Sequence, residues 1–213
     1  MSDAVPEKTL REKMTALVDS LPPDQVTLAE VLDRIGQEGW LLFCIFLTLP
    51  FMVPVSIPGV STVFGAAILL IGISLTLNRT PWLPARLMHR HFPSPKLKSA
   101  MTKGIVWLTR LERISHPRLP RLARGFLVDR LNAMMLVLGA VLLMMPFGLV
   151  PFSNTLPGLA ILFLAMGAIQ KDGGCILLGY LTNLATIVYF GVLVYTGSEA
   201  VMGVVRKITA LFQ

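Results

Sequence analysis

The sequence predicts an all-α membrane protein. It is read as two pseudo-repeats of helix, Pro/Gly break and helix, folded as re-entrant or tight hairpins, with a basic amphipathic connector between them and a C-terminal transmembrane helix. Three observations predict it. Only 15% of the 213 residues are charged while 54% are hydrophobic, against about 25% charged in soluble domains. The charge is absent from three runs: Trp40 to Leu77, Leu131 to Gln170 and Gly173 to Ser198. A bilayer span takes about 20 apolar residues. Each of the first two runs is nearly twice that, long enough to enter and return, and the third suffices for one span. Finally, the stretch PFMVPVSIPGVSTVFG, Pro50 to Gly65, holds three prolines and two glycines without one charge. A surface loop would carry charge, and an unbroken membrane helix would not carry those prolines.

Residues 1–39 are polar, with eight acidic and four basic side chains, and lack the basic start and short apolar core of a cleavable signal. The first apolar run is therefore expected to remain in the mature protein. This segment reads as two amphipathic surface helices, separated at Pro22-Pro23. The second opens on Thr27-Leu28-Ala29-Glu30, a capping box in which the hydroxyl and the carboxylate each take a free backbone N–H. Leu28, Val31, Leu32 and Ile35 form its apolar stripe.

The first membrane hairpin is placed at 40–78. Its two arms, Trp40 to Ser56 and Val60 to Asn78, are each just long enough to cross. The connector, 79–130, carries twelve Lys or Arg against two acids. In its middle, Leu97, Met101, Ile105, Leu108 and Leu111 recur at helical spacing with basic residues on the other faces, which predicts a cationic helix lying on an anionic leaflet. Arg110, Arg113, Arg118 and Arg121 are its candidate contacts to lipid headgroups or a partner. Tethering between membrane segments argues against nucleic acid. The positive-inside rule places the connector in the cytoplasm.

The second hairpin, 131–171, repeats the first. Leu32-Asp33-Arg34-Ile35 matches Val128-Asp129-Arg130-Leu131 at an offset of 96, and Pro50-Phe51 matches Pro146-Phe147 at the same offset. Ile57-Pro58-Gly59 then matches Leu156-Pro157-Gly158. The stretch from Gly158 to Gln170 is short for a crossing, which favours a re-entrant hairpin there. Both versions enter and leave on one side, so the repeats are expected to share one orientation. The last segment, 172–213, holds a conventional span from Cys175 to Gly197. Asn183 and Thr186 within it are expected to hydrogen-bond a neighbouring helix. Cys44 and Cys175 read as two buried thiols without disulfide or metal spacing.

Proline removes a backbone donor, and bare backbone groups in hydrocarbon cost several kcal/mol each. The two breaks must therefore be covered by protein or by a wet cavity. Their polar residues, Ser56, Ser61, Thr62, Ser153, Asn154 and Thr155, are candidate substrate or ion contacts. Pro58, Gly59, Pro157 and Gly158 join them, as positions where helix N-termini could face an anion. Asp33-Arg34 and Asp129-Arg130 read as ion pairs at the repeat ends. Lys171-Asp172 reads as a turn held by a local ion pair. No nucleotide fingerprint, hydrolase constellation or metal set is visible in the sequence, so no enzyme, cofactor or metal is expected. No ionisable group lies deep in an apolar run, which weakens a proton-coupled carrier.

The combination PGVSTVFGAAILLIG, NRTPWLPARL, RLERISHPRLPRL and PFGLVPFSNTLPGLAILFLAMGAIQKDG resembles the ExoD family, named for exopolysaccharide synthesis, over residues 10 to 197. The resemblance implies a multi-pass protein of the bacterial inner membrane, linked to exopolysaccharide production and, in some members, to tolerance of alkaline conditions. It brings no catalytic motif. Two functions are compatible: a small transporter or permeation protein, expected to be a homo-oligomer, with its site at the paired breaks; or a non-catalytic scaffold for the polysaccharide synthesis and export machinery. The cost of keeping broken, polar-flanked segments in a membrane favours the first.

Overall fold

The computed structural model describes residues 15, 18, 25–27, 30, 36–52, 59–81, 91–93, 102, 122–123, 125–145, 147, 150 and 152–211, with backbone alone from 198 onward. Among the described residues five helices carry the fold. They are α1, Gln37–Thr48, continued by a 3-10 turn over Leu49–Met52; α2, Val60–Thr76; α3, Phe126–Leu143; α4, Thr155–Gln170; and α5, Gly173–Leu211. A short antiparallel ladder, β1 (Gln25–Thr27) with β2 (His91–Pro93), ties the N-terminal segment to the connector, with Val26 opposite Phe92. The capping box forms: Thr27 N–H donates to Glu30 Oε2 at 3.2 Å, and Glu30 N–H donates to Thr27 Oγ1 at 3.3 Å. Apart from Thr15, Val18, Gly36 to Gly39 and Thr102, the rest of the N-terminal segment and the amphipathic middle of the connector fall outside the described residues.

Helix α1 ends where Thr48 Oγ1 donates back to Ile45 O at 2.7 Å and the chain tightens into the 3-10 turn holding Pro50. Helix α2 starts at Gly59, whose φ of +84° a side chain would resist. Helix α4 starts earlier than the sequence predicts. Asn154 is its N-cap and Pro157-Gly158 lie inside its first turn, where proline loses nothing because those N–H groups have no helical partner. The helix thus has 16 residues, gaining Thr155 to Pro157 over the stretch expected. Lys171 closes it in the left-handed region at φ +51°. Asp172 then caps α5, its Oδ1 accepting from Gly174 N–H at 2.9 Å.

The helices of the two halves pack mostly across one another. Helix α2 lies on α3, α1 on α4, and α4 on both α3 and α5, while α1 and α2 touch little. Glycines set the closest approaches: a β-carbon at Gly72 would stand 2.9 Å from Val137 Cγ2, and one at Gly179 would stand 2.6 Å from Leu164 Cγ. Small residues at such crossings maximise van der Waals contact, the main glue between helices in lipid. Cys44, Ile68, Ile71, Leu143, Ile161 and Ile176 fill the core. Cys44 is a buried thiol, and half-buried Cys175 donates its S–H to Asp172 Oδ2 at 3.5 Å.

Among the described residues, two helices are long and apolar enough to cross a membrane, α3 and the stretch Gly173–Gly197 of α5. Only 33% and 28% of their apolar windows are buried inside the protein, whereas a soluble core helix would be mostly covered. Leu181, Leu184, Val188 and Val192 face outward, each more than half exposed. An apolar surface of that extent belongs in lipid, and the chain reads as a membrane protein. Gly179→Val is expected to cost about 1–3 kcal/mol through overpacking, seen as a lower unfolding temperature in detergent. Gly191→Val, at a position with nothing within 4 Å, is expected to stay within about 0.5 kcal/mol.

Candidate functional site

The ends of the helices define two regions. At one end a cavity of about 610 Å³ is walled by the starts of α1 and α3 and the ends of α2 and α4. All four helices therefore present their connector-side ends to one space, and the two halves run in the same direction. The polar part of the wall includes Glu38, Asn78, Asp129, Arg130, Asn132 and Lys171; Leu41, Leu75, Leu136 and Leu164 form its apolar part. The charges balance, and they suit the helix ends. Glu38 and Asp129 lie in the first turns of α1 and α3, where the helix dipole favours an anion. Lys171 closes α4, where it favours a cation. The volume falls in the range of small-molecule sites, about 300–1,000 Å³.

At the floor of this cavity Asn132 is held on both sides. Its Nδ2 donates to Leu122 O at 3.2 Å, and its Oδ1 accepts from the Tyr180 hydroxyl at 2.6 Å. One turn further along α5, Asn183 Nδ2 donates to Met135 O on α3 at 2.9 Å, as the sequence predicts. Thr186 instead bonds within its own helix, to Thr182 O at 2.8 Å.

At the opposite end the described parts of the two Pro/Gly breaks touch. A β-carbon at Gly158 would lie 3.3 Å from Phe51 Cβ and 3.1 Å from Met52 Cε, so the first turn of α4 rests on the 3-10 turn of the other half. Phe147 stacks on Phe190 of α5 with ring centres 4.8 Å apart. The second break is wound into successive turns that use its own donors: Phe147 N–H to Met145 O, Val150 N–H to Phe147 O and Ser153 N–H to Val150 O, at 2.8–3.3 Å.

The residues expected from the sequence divide as follows. Ser61, Ser153, Asn154, Pro157 and Gly158 are buried, Thr155 is half-buried, and Gly59 and Thr62 are exposed. Ser153 Oγ is enclosed without a hydrogen-bond partner. Asp129 and Arg130 are exposed and line the cavity at the other end, away from the breaks. Ser56, Pro58, Asp33, Arg34, Arg110, Arg113, Arg118 and Arg121 fall outside the described residues. Sequence reasoning missed Glu38 and Asn132. The signal for Asn132 was its isolation, one amide three residues past Asp129 at the head of an apolar run. Among the described residues no cluster of His, Cys, Asp or Glu could hold a metal ion.

Comparison with known proteins adds three findings. The family model described as "Exopolysaccharide synthesis, ExoD" matches residues 10–192. Protein ExoD of Rhizobium meliloti is 48% identical over 197 residues, which is 92% of this chain and 82% of that protein. An uncharacterized protein of Synechocystis sp. is 34% identical over 149 residues, 70% of this chain and 69% of its own length. No solved structure matches the chain.

Tyr180→Phe is expected to cost about 0.5–1.5 kcal/mol of stability, the net worth of one hydrogen bond. Combined with Asn132→Ala in a double-mutant cycle, unfolding of the detergent-solubilised protein should give a coupling energy above about 0.5 kcal/mol. Strict additivity would mean that the contact contributes nothing.

Proposed function

The chain belongs to the ExoD family, and from that premise we propose that it is a small membrane permeation protein serving exopolysaccharide production. The observation that carries this reading is the cavity. It is a pocket of about 610 Å³ with both charge signs at its rim, formed where both halves of the membrane bundle bring their helix ends together. A scaffold has no need of a cavity with charges of both signs gathered in its wall. In this reading a small polar solute enters from the connector side, where Glu38, Asp129, Arg130 and Lys171 select it, and the touching breaks form the inner barrier.

The depth of the breaks supports it. Phe190 of α5 meets the second break at Phe147, yet the apolar stretch of α5 continues to Gly197. Seven further helical residues are about 10 Å. With α5 spanning the bilayer, the hairpins turn inside the apolar layer, as re-entrant segments do. Buried Ser61, Ser153 and Asn154 are then the polar groups at the deepest point. The membrane is the bacterial inner membrane with the basic connector on its cytoplasmic face, where Arg110, Arg113, Arg118 and Arg121 hold anionic headgroups.

The test is flux through liposomes holding the purified full chain, with sugars, inorganic anions and alkali cations tried in turn across a pH gradient. Protein-dependent movement of one solute class is expected. It should fall about tenfold or more in Asn154→Ala, as when a buried hydrogen-bond contact worth about 1.4 kcal/mol is removed, and fall clearly in Asp129→Asn. If no class moves, the permeation reading fails. The accessory reading replaces it if, in addition, Arg113→Gln and Arg118→Gln abolish exopolysaccharide production in cells while Asn154→Ala leaves it intact.

A further inference from the structure

Inside the bundle, one polar atom that needs a partner has none. Asn183 is 2% exposed. Its Nδ2 is committed to Met135 O at 2.9 Å, which fixes the direction of the amide, and its Oδ1 is left enclosed with no donor. An acceptor buried without a donor costs about 1–3 kcal/mol, so a residue in mid-span is poorly explained as packing alone.

The polar neighbours of that oxygen lead back to the cavity wall at Asn132. Asn132 lines the cavity and accepts from Tyr180, and Tyr180 precedes Asn183 by one turn of α5. Gly139 of α3 lets α3 approach that oxygen closely: a β-carbon there would stand 3.3 Å from Asn183 Oδ1 and 2.9 Å from Ile161 Cγ1. Thr186, fully buried, follows on the same face. Phe190 then reaches the second break at Phe147. In that break lies another enclosed atom without a partner, Ser153 Oγ. Polar groups thus mark the seam between α3 and α5 from the cavity towards the break, with unsatisfied atoms at mid-depth and at the far end.

We propose that this seam is hydrated, with water donating to Asn183 Oδ1, and that it is the path by which the cavity communicates with the break. The four side chains named along it, Asn132, Tyr180, Asn183 and Thr186, are neutral at pH 7. An ion stripped of water there would lack a counter-charge, which the protein interior penalises heavily. The seam therefore takes water and small uncharged hydrogen-bonding solutes and excludes metal ions and inorganic anions. This substrate class rests on the permeation reading; the hydration does not.

Radiolytic footprinting of the full chain in nanodiscs separates the two, because it turns bound water into hydroxyl radical and needs no solute gradient. Tyr180 and half-buried Met135 are expected to oxidise faster than Met134, which is 51% exposed on the outer face of α3. Asn183→Leu, which removes the acceptor, should abolish that excess at Met135, and Thr186→Val should reduce it while disturbing the fold less. Met135 and Tyr180 oxidising no faster than Met134 in the unsubstituted protein, or an excess unchanged in a folded Asn183→Leu protein, overturns the proposal. A labelled seam in a protein that moves no solute leaves the hydration standing and sinks the permeation reading alone.

Discussion

If the hairpins turn back within hydrocarbon, as proposed, the chain has to cover its own peptide groups there, and that constraint organises the bundle. Water cannot serve them there, and each bare N–H or C=O costs several kcal/mol. The second break carries two prolines without a donor, Pro146 and Pro151, and among its described residues Phe147, Val150 and Ser153 fold their N–H groups back into turns. Pro157 follows in the first turn of α4, where no helical bond is lost. The surface that remains is covered by the other half: Gly158 has no side chain, so Phe51 and Met52 lie directly against it.

That contact has consequences for the whole bundle. If the breaks are to cover each other, each half must lay its helices on the other half, which is the observed pairing of α1 with α4 and of α2 with α3. Because the breaks gather at one end, the charged ends of four helices gather at the other, and their mismatch leaves the cavity. Helix α5 is the strut. It packs along α4 more extensively than any other pair of elements packs, is capped at its start by buried Asp172, and runs past the level of the breaks with its apolar face turned outward. Hydrophobic burial drives little of this in lipid; close contact at Gly72, Gly139 and Gly179 and the bonds of Asn132 and Asn183 do.

Much of this was legible in the residues because membrane chains obey coarse rules. Charge-free runs located α1 to α4 and the apolar part of α5, and the amide of Asn183 in the last span announced an interhelical bond. Thr27 and Glu30 form their reciprocal cap because capping is a local exchange between residues three apart. The start of α4 was misread because a Pro-Gly pair looks like a helix boundary, while proline in a first turn is as comfortable as proline just before one. The β1–β2 ladder joins residues more than sixty apart, and three-residue strands leave no periodicity to detect. The cavity was invisible for a related reason: Glu38, Asn78, Asp129 and Lys171 are unremarkable helix-end residues until the packing of four helices brings them around one space.

The central claim is that both hairpins turn within the lipid, short of its far face. Its most direct measurement is spin-label accessibility in bilayers, with Cys44 and Cys175 replaced by alanine and single cysteines placed at Val63 and Phe152, which are 63% and 57% exposed beside the two breaks. Turns inside the lipid predict strong relaxation by oxygen and little by a water-soluble nickel chelate at both positions, with the chelate dominant at Asn78 near the cavity rim. Ready access of the chelate to Val63 and Phe152 would place the breaks in water and contradict it.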